Sequence, residues 1–233
     1  MTTLRAAARW LDRVGIAALI PGAETVLPSL WEASAGTREV TWGERREADG
    51  KHEFTPSMAR VWQWKDELPA RGLALVGKHF GPWAALVAPR LVPHVVAAAA
   101  DRRRALSDFH WHVAATLEEH GACTGPQLRA LCGAEKQHVA QLQRALVVTN
   151  SHRVEQPQGW DAIAVDLVER LWEIEPVADA DAALARVVLD GAEELSAADL
   201  GGALGWRVKR AREALEAIGA RAHTEHGVTL YSV

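Results

Sequence analysis

Along Glu135–Val147, Gln137, Gln141 and Arg144 fall on one face of a helix turning 100° per residue, away from the apolar stripe Val139, Leu142 and Leu146. Amide side chains can pair with adenine, and a guanidinium can read guanine or hold phosphate. A solvated helix face has the same polar mix, so the pattern alone leaves both readings open. Farther along, Arg207, Lys209, Arg210 and Arg212 place four cations in six residues, enough for several phosphate contacts. Glu213 and Glu216 stand at i,i+4 from Lys209 and Arg212, but such surface pairs contribute only about 0.3–0.5 kcal/mol, so phosphate could displace them. Upstream, Lys65 and Lys78, with Arg71 and His79, bracket one predicted hairpin, and Arg153 lies in another.

Other constellations carry less. Arg102-Arg103-Arg104, flanked by Asp101 and Asp108, reads as a solvated helix end, with a phosphate clamp as the alternative. Glu44, Glu47 and Asp49 offer carboxylates for acid–base work, but they sit in a charged loop that reads as solvated. His110 and His112 diverge by about 200° on a helix. Cys123 and Cys132 are too far apart for a Cys-x-x-Cys knuckle, and no His-Glu-x-x-His occurs. No metal is expected. Without a Gly-x-Gly-x-x-Gly, a phosphate loop or a Gly-x-Ser-x-Gly elbow, no cofactor is expected either, and nucleotide hydrolysis and serine esterase chemistry are unsupported.

The elements that must position these groups follow one plan three times. In the last fifty-five residues an apolar helix (Ala182, Leu184, Val187, Val188, Leu189) precedes a short helix that Ser196 can cap and Gly205 can close. A third helix, Trp206–Ile218, leads into a hairpin about His226-Gly227. That is the order of a helix-turn-helix with a wing. The middle repeats it: Asp108–His120, a short helix between Thr124 and Gly133, Glu135–Val147, then a wing around Pro157-Gln158-Gly159. The first third follows more loosely, with helices at Leu4–Leu19, Leu30–Ala35 and Thr55–Leu68, a polar loop over 36–53, and strands at Leu73–His79 and Trp83–Ala88. An apolar helix, Leu91–Ala105, continues the chain. The expected fold class is mainly α with small β-hairpins (α+β). Three tandem winged helix-turn-helix units, at 1–105, 106–176 and 177–233, pack as one body.

Composition supports that packing. Of ten Trp, most lie before residue 112, so Trp31, Trp62, Trp64, Trp83 and Trp111 are expected to hold the units together. Base stacking by one or two exposed indoles is the other use for them. The net charge of −4 divides as +4 over residues 1–104, −5 over 105–176 and −3 over 177–233. Any nucleic-acid surface must therefore be a local basic stripe against acidic outer faces. With no disulfide framework, no secretory leader and no apolar run of about 18 residues, the expected setting is cytoplasmic, away from any membrane.

Three segments taken in order, Trp64-Lys65-Asp66-Glu67-Leu68, Val76-Gly77-Lys78 and Leu91-Val92-Pro93, resemble the AlkZ/YcaQ-related winged-helix proteins of the crosslink-repair DNA glycosylase superfamily. The resemblance covers roughly Pro28 to Trp172, and Val76 replaces the Tyr of that family's Tyr-Gly-Lys. It implies tandem winged helices on double-stranded DNA, with excision of a flipped base as an activity. The glycosylases place a Gln-x-Gln pair early, and residues 1–62 hold none. In Gln141-Leu142-Gln143 the two amides lie about 200° apart, so they cannot jointly hold one water. The expected function is thus DNA binding in repair or damage response, with weak or absent catalysis and no catalytic residue assigned. A non-enzymatic transcriptional regulator would use the same surface. A protein-interaction module would dock a partner on the acidic faces. A concave basic face gathering Lys65, Lys78, Arg144 and Lys209 would favour DNA.

Overall fold

A computed structural model of the chain describes residues 1–22, 25–45, 52–156 and 161–233. Glu47, Asp49 and the turn Pro157-Gln158-Gly159 lie outside them. Helix α1 (Leu4–Val14) starts where the Thr3 hydroxyl accepts the Ala6 N–H, and it stops at Gly15. The sequence pattern carries that helix on to Leu19, but Ile16–Ala18 forms strand β1 instead, buried on both faces. A left-handed Gly15 at φ +79° turns the chain out of the helix. Ser29 caps α2 (Leu30–Ala35). Strands β2 (Gly43–Arg45) and β3 (His52–Phe54) form a small ribbon before α3 (Pro56–Ala70). Strand β5 (Ala85–Val87) then pairs with both β4 (Leu75–Gly77) and β1.

A 3-10 turn (Pro89–Leu91) leads to α4 (Val92–Ala98) and α5 (Ala100–Arg104), two helices where the sequence predicts one. The central segment runs α6 (Asp108–His120), β6 (Cys123–Thr124), α7 (Gly125–Cys132), α8 (Lys136–Arg144), β7 (Val148–Val154) and β8 (Ala162–Leu167). After the single turn α9 (Val168–Leu171), the last segment repeats that order. It comprises α10 (Ala180–Ala192), β9 (Glu194–Ser196), α11 (Ala197–Leu204), α12 (Val208–Ala217), β10 (Arg221–Glu225) and β11 (Val228–Ser232). Apart from the β2–β3 ribbon inserted in the first, each segment thus reads helix, strand, helix, helix, hairpin, with the hairpin's second strand between the other two, as in β4-β5-β1, β7-β8-β6 and β10-β11-β9. Chemistry at the turns explains the recurrence. Thr124 and Ser196 form reciprocal capping boxes with Gln127 and Asp199, and Gly133 and Gly205 close the same helix at left-handed φ.

The segments are joined in two places. Val76 of β4 pairs with Asn150 of β7, fusing the first two sheets into one of six strands ordered β1-β5-β4-β7-β8-β6. The last segment shares a core with the first, continuous from Leu75, Val87 and Val95 to Leu184, Leu200, Leu215 and Tyr231. Trp31 and Trp64 are buried in the first segment's own core, and Trp62 and Trp83 are half-buried. Trp111 departs from the expectation: it is 45% exposed on α6 and does not join the segments. With a sheet and a core crossing the boundaries, thermal unfolding is expected to be a single transition in circular dichroism and calorimetry. Separate loss of the first hundred residues would contradict it.

Candidate nucleic-acid interface

All three segments meet at Val76–Phe80, where β4 runs into its turn. Gly77 is there because nothing larger fits: a Cβ would stand 2.8 Å from the His79 ring and 3.3 Å from Gln143 Nε2. The Lys78 N–H donates to Gln143 Oε1 at 3.1 Å, and Gln143 Nε2 donates to Asn150 Oδ1 at 2.8 Å. His79 Nδ1 donates to the Gln143 carbonyl at 3.0 Å, and the Thr149 hydroxyl donates to the Val76 carbonyl at 2.9 Å. From the other side Arg102 Nη1 donates to the His79 carbonyl at 3.2 Å. A Cβ on Gly205 would overlap the Phe80 carbonyl oxygen, so the α11–α12 turn rests on this segment as well. Burial, reinforced by Arg102, pushes the His79 pKa down to about 4, while its bond to the Gln143 carbonyl opposes that shift.

Beside this junction lies a cleft of about 560 Å³ on the central segment, with Val139, Ala140, Ile163 and Val165 among its walls. Among the described residues, Lys78, Arg129 and Lys136 line it and no carboxylate does. Among the described residues none of those three cations makes an ion pair. Three uncompensated charges over an apolar floor concentrate positive potential locally, although the chain as a whole is acidic. Helix α8 faces the cleft with Lys136, Val139, Ala140 and Gln143, spaced by three and four residues. The adjoining stripe is Gln137, Gln141 and Arg144, all exposed, as the helical wheel predicts. Gln143 is buried instead of lying at the side of the helix, and both ends of its amide are engaged.

The remaining predicted residues divide. Arg207, Lys209 and Arg212 are exposed on or next to α12, and Lys209 lies 3.8 Å from Glu213. Arg210 is engaged within the protein. Its Nε and Nη2 each reach Asp181 at 2.6 Å, Nη2 donates to the Ala98 carbonyl at 2.8 Å, and the guanidinium stacks on Trp206. It ties α12 to α10 and α4. Lys65 lies over the Trp62 ring, 2.5 Å from Asp66, and Arg153 lies 2.9 Å from Asp161. These two cations line one small cavity of about 290 Å³ together with both aspartates, so no net positive charge remains there. Lys65, Lys78 and Lys209 therefore line three cavities, and do not gather into the single concave face expected of them.

The arginine triplet also differs from a solvated helix end. Arg103 donates to the Ala145 and Leu146 carbonyls and pairs with Glu169 at 2.7 Å, so it fastens α5 to the central segment. Arg104 pairs with Asp101. Sequence reasoning missed Arg129 and Lys136, which the fold brings to one cleft from α7 and α8. It also missed the exposed trio Glu194, His223 and Glu225, whose ligand-type atoms lie within 4.8 Å of one another across the last sheet. His223 Nε2 stands 3.0 Å from Glu194, a pairing that needs no ion.

A model of the family described as AlkZ related matches residues 1–189. The chain belongs to the AlkZ-related family. The match extends beyond both ends of the Pro28–Trp172 stretch that carries the motifs and stops within α10, so α11, α12 and the last hairpin of this AlkZ-related chain lie outside it. Comparisons with curated proteins and with solved structures gave no match. Membership relates the chain to the DNA-repair glycosylase superfamily. Among the described residues, no helix is long and apolar enough to cross a membrane.

Proposed function

We propose that this AlkZ-related protein binds duplex DNA through three winged helices, at 1–105, 106–176 and 177–233, and acts in DNA repair or damage response by binding rather than base excision. The observation that carries the proposal is the cleft with Lys78, Arg129 and Lys136 uncompensated, set against the exposed stripe Gln137, Gln141 and Arg144. Cations beside the second helix of a helix-turn-helix fix register on the phosphates, while amides on that helix reach base edges. Arg207, Lys209 and Arg212 would add phosphate contacts from the third unit. The absence of excision is argued from Gln143. It is buried and its amide is oriented inward by Lys78 and Asn150, while Gln141 is exposed, so the two cannot hold one water between them.

A duplex titration at several salt concentrations tests this. Substituting Lys78, Arg129 and Lys136 together by Gln should lower the salt slope by about 0.9 for each phosphate left without its cation. Absence of duplex binding at low salt, or an unchanged slope in the triple variant, rules the interface out. On a duplex carrying an N7- or N3-alkylated base, a single turnover should release little base. Robust release abolished by Gln141→Ala would make the protein a glycosylase.

A further inference from the structure

A second cavity, between α5 and the start of α12, has a charge imbalance that the protein does not resolve internally. It measures about 730 Å³ and is lined by Arg102, Arg207, Lys209 and Arg210, with Asp101 and Glu213 as its only carboxylates among the described residues. Both carboxylates are engaged, Asp101 by Arg104 and Glu213 by Lys209. Arg210 is satisfied by Asp181. That leaves Arg102 and Arg207.

Arg102 uses Nη1 on the His79 carbonyl, while its Nε and Nη2 are buried with no partner. Burial first, and then the nearby Arg210, push this guanidinium down to about 10 against the partial opposition of Asp181, well below the range in which an arginine normally titrates. A buried donor without an acceptor is uncommon and asks for an explanation. Arg207 is the N-cap of α12, is exposed, and makes no ion pair among the described residues. No side chain caps that helix, so the N–H groups of its first turn are left for an outside acceptor, at the end where the helix dipole favours an anion.

We propose that this cavity binds a phosphate group, held between Arg102 and Arg207 at the N-terminus of α12. A phosphate carries several acceptor oxygens and matches the fork of a guanidinium, which a chloride ion does not. The group could be a backbone phosphate of duplex DNA or a free phosphate; the donors are the same for both. The inference rests on the charges of this cavity and not on the cleft beside α8.

Inorganic phosphate titrated into the full chain in chloride buffer, followed by calorimetry, should bind saturably. Arg207→Ala and Arg102→Met should each weaken it at least tenfold, whereas Arg221→Ala in the last hairpin, outside the cavity, should leave it unchanged. Arg102 also holds the His79 carbonyl, so if its variant misfolds, the exposed Arg207→Ala decides. No saturation, or equal affinity in Arg207→Ala, overturns the site whatever duplex binding shows. Once phosphate binds, the duplex separates the two sources. Competition by phosphate, together with a salt slope lowered by about 0.9 in Arg207→Ala, assigns the group to the DNA backbone. Duplex binding indifferent to both, or absent, assigns it to free phosphate.

Discussion

Gly205→Ala is expected to cost about 3 kcal/mol of stability, and Gly133→Ala about 1 kcal/mol. The two glycines hold the same place, closing the short helix of the last and of the central segment, at φ +65° and +73°. An L residue in that left-handed conformation costs roughly 1–2 kcal/mol wherever it occurs, and that is all Gly133 should register, because a Cβ there meets nothing within 4 Å. At Gly205 the added Cβ would collide with the Phe80 carbonyl, and a backbone atom cannot rotate aside as a side chain could. Relieving it means lifting the α11–α12 turn from the first segment, an overpacking term of about 1–3 kcal/mol. Urea unfolding of both variants measures the difference directly. Equal losses would show that the turn does not rest on Phe80 in solution.

That comparison also marks where the sequence could be read and where it could not. Caps and closing glycines announce themselves locally: Ser196, Thr124, Gly133 and Gly205 act on backbone groups within four residues, so their positions in the chain predict their positions in the fold. The wheel of α8 was equally legible, because burial of Leu142 and exposure of Gln137, Gln141 and Arg144 follow from helical periodicity. Strands β1, β6 and β9 were not, since two or three residues are too few to show a period of two. Pairings between segments leave no periodic trace at all. Arg103 and Arg210 look like surface cations in the sequence, yet they bond to Leu146 and Asp181, 43 and 29 residues away. Lys78 reaches the central cleft only because Val76 pairs with Asn150. The part of the site made by one helix was therefore visible, and the part made by the junction was not. The resemblance motif Val76-Gly77-Lys78 turns out to sit at that junction.

Acid should weaken the same junction. Buried His79 titrates near 4 in the folded protein, against about 6.5 when unfolded. Above pH 6.5 both states are neutral at this site and stability does not depend on it. As pH falls below 6.5 the unfolded chain takes up a proton that the folded protein refuses, so stability declines by up to 1.4 kcal/mol per pH unit until about pH 4. The full loss is about 3 kcal/mol, a large part of the roughly 5–15 kcal/mol that keeps most domains folded. Protonation inside the fold is disfavoured for two reasons: the ring is fully buried, and it lies close to Arg102. A differential measurement isolates this one group. His79→Asn retains an N–H donor near the position of Nδ1 but cannot take up the proton. Urea unfolding from pH 7.5 to 4.5 should find the variant less stable than the parent at pH 7.5, through poorer packing, with the gap constant down to about pH 6.5 and narrowing below it. Parallel acid slopes in the two proteins would mean that His79 is not held neutral, and that the junction opens to water well before the rest of the fold.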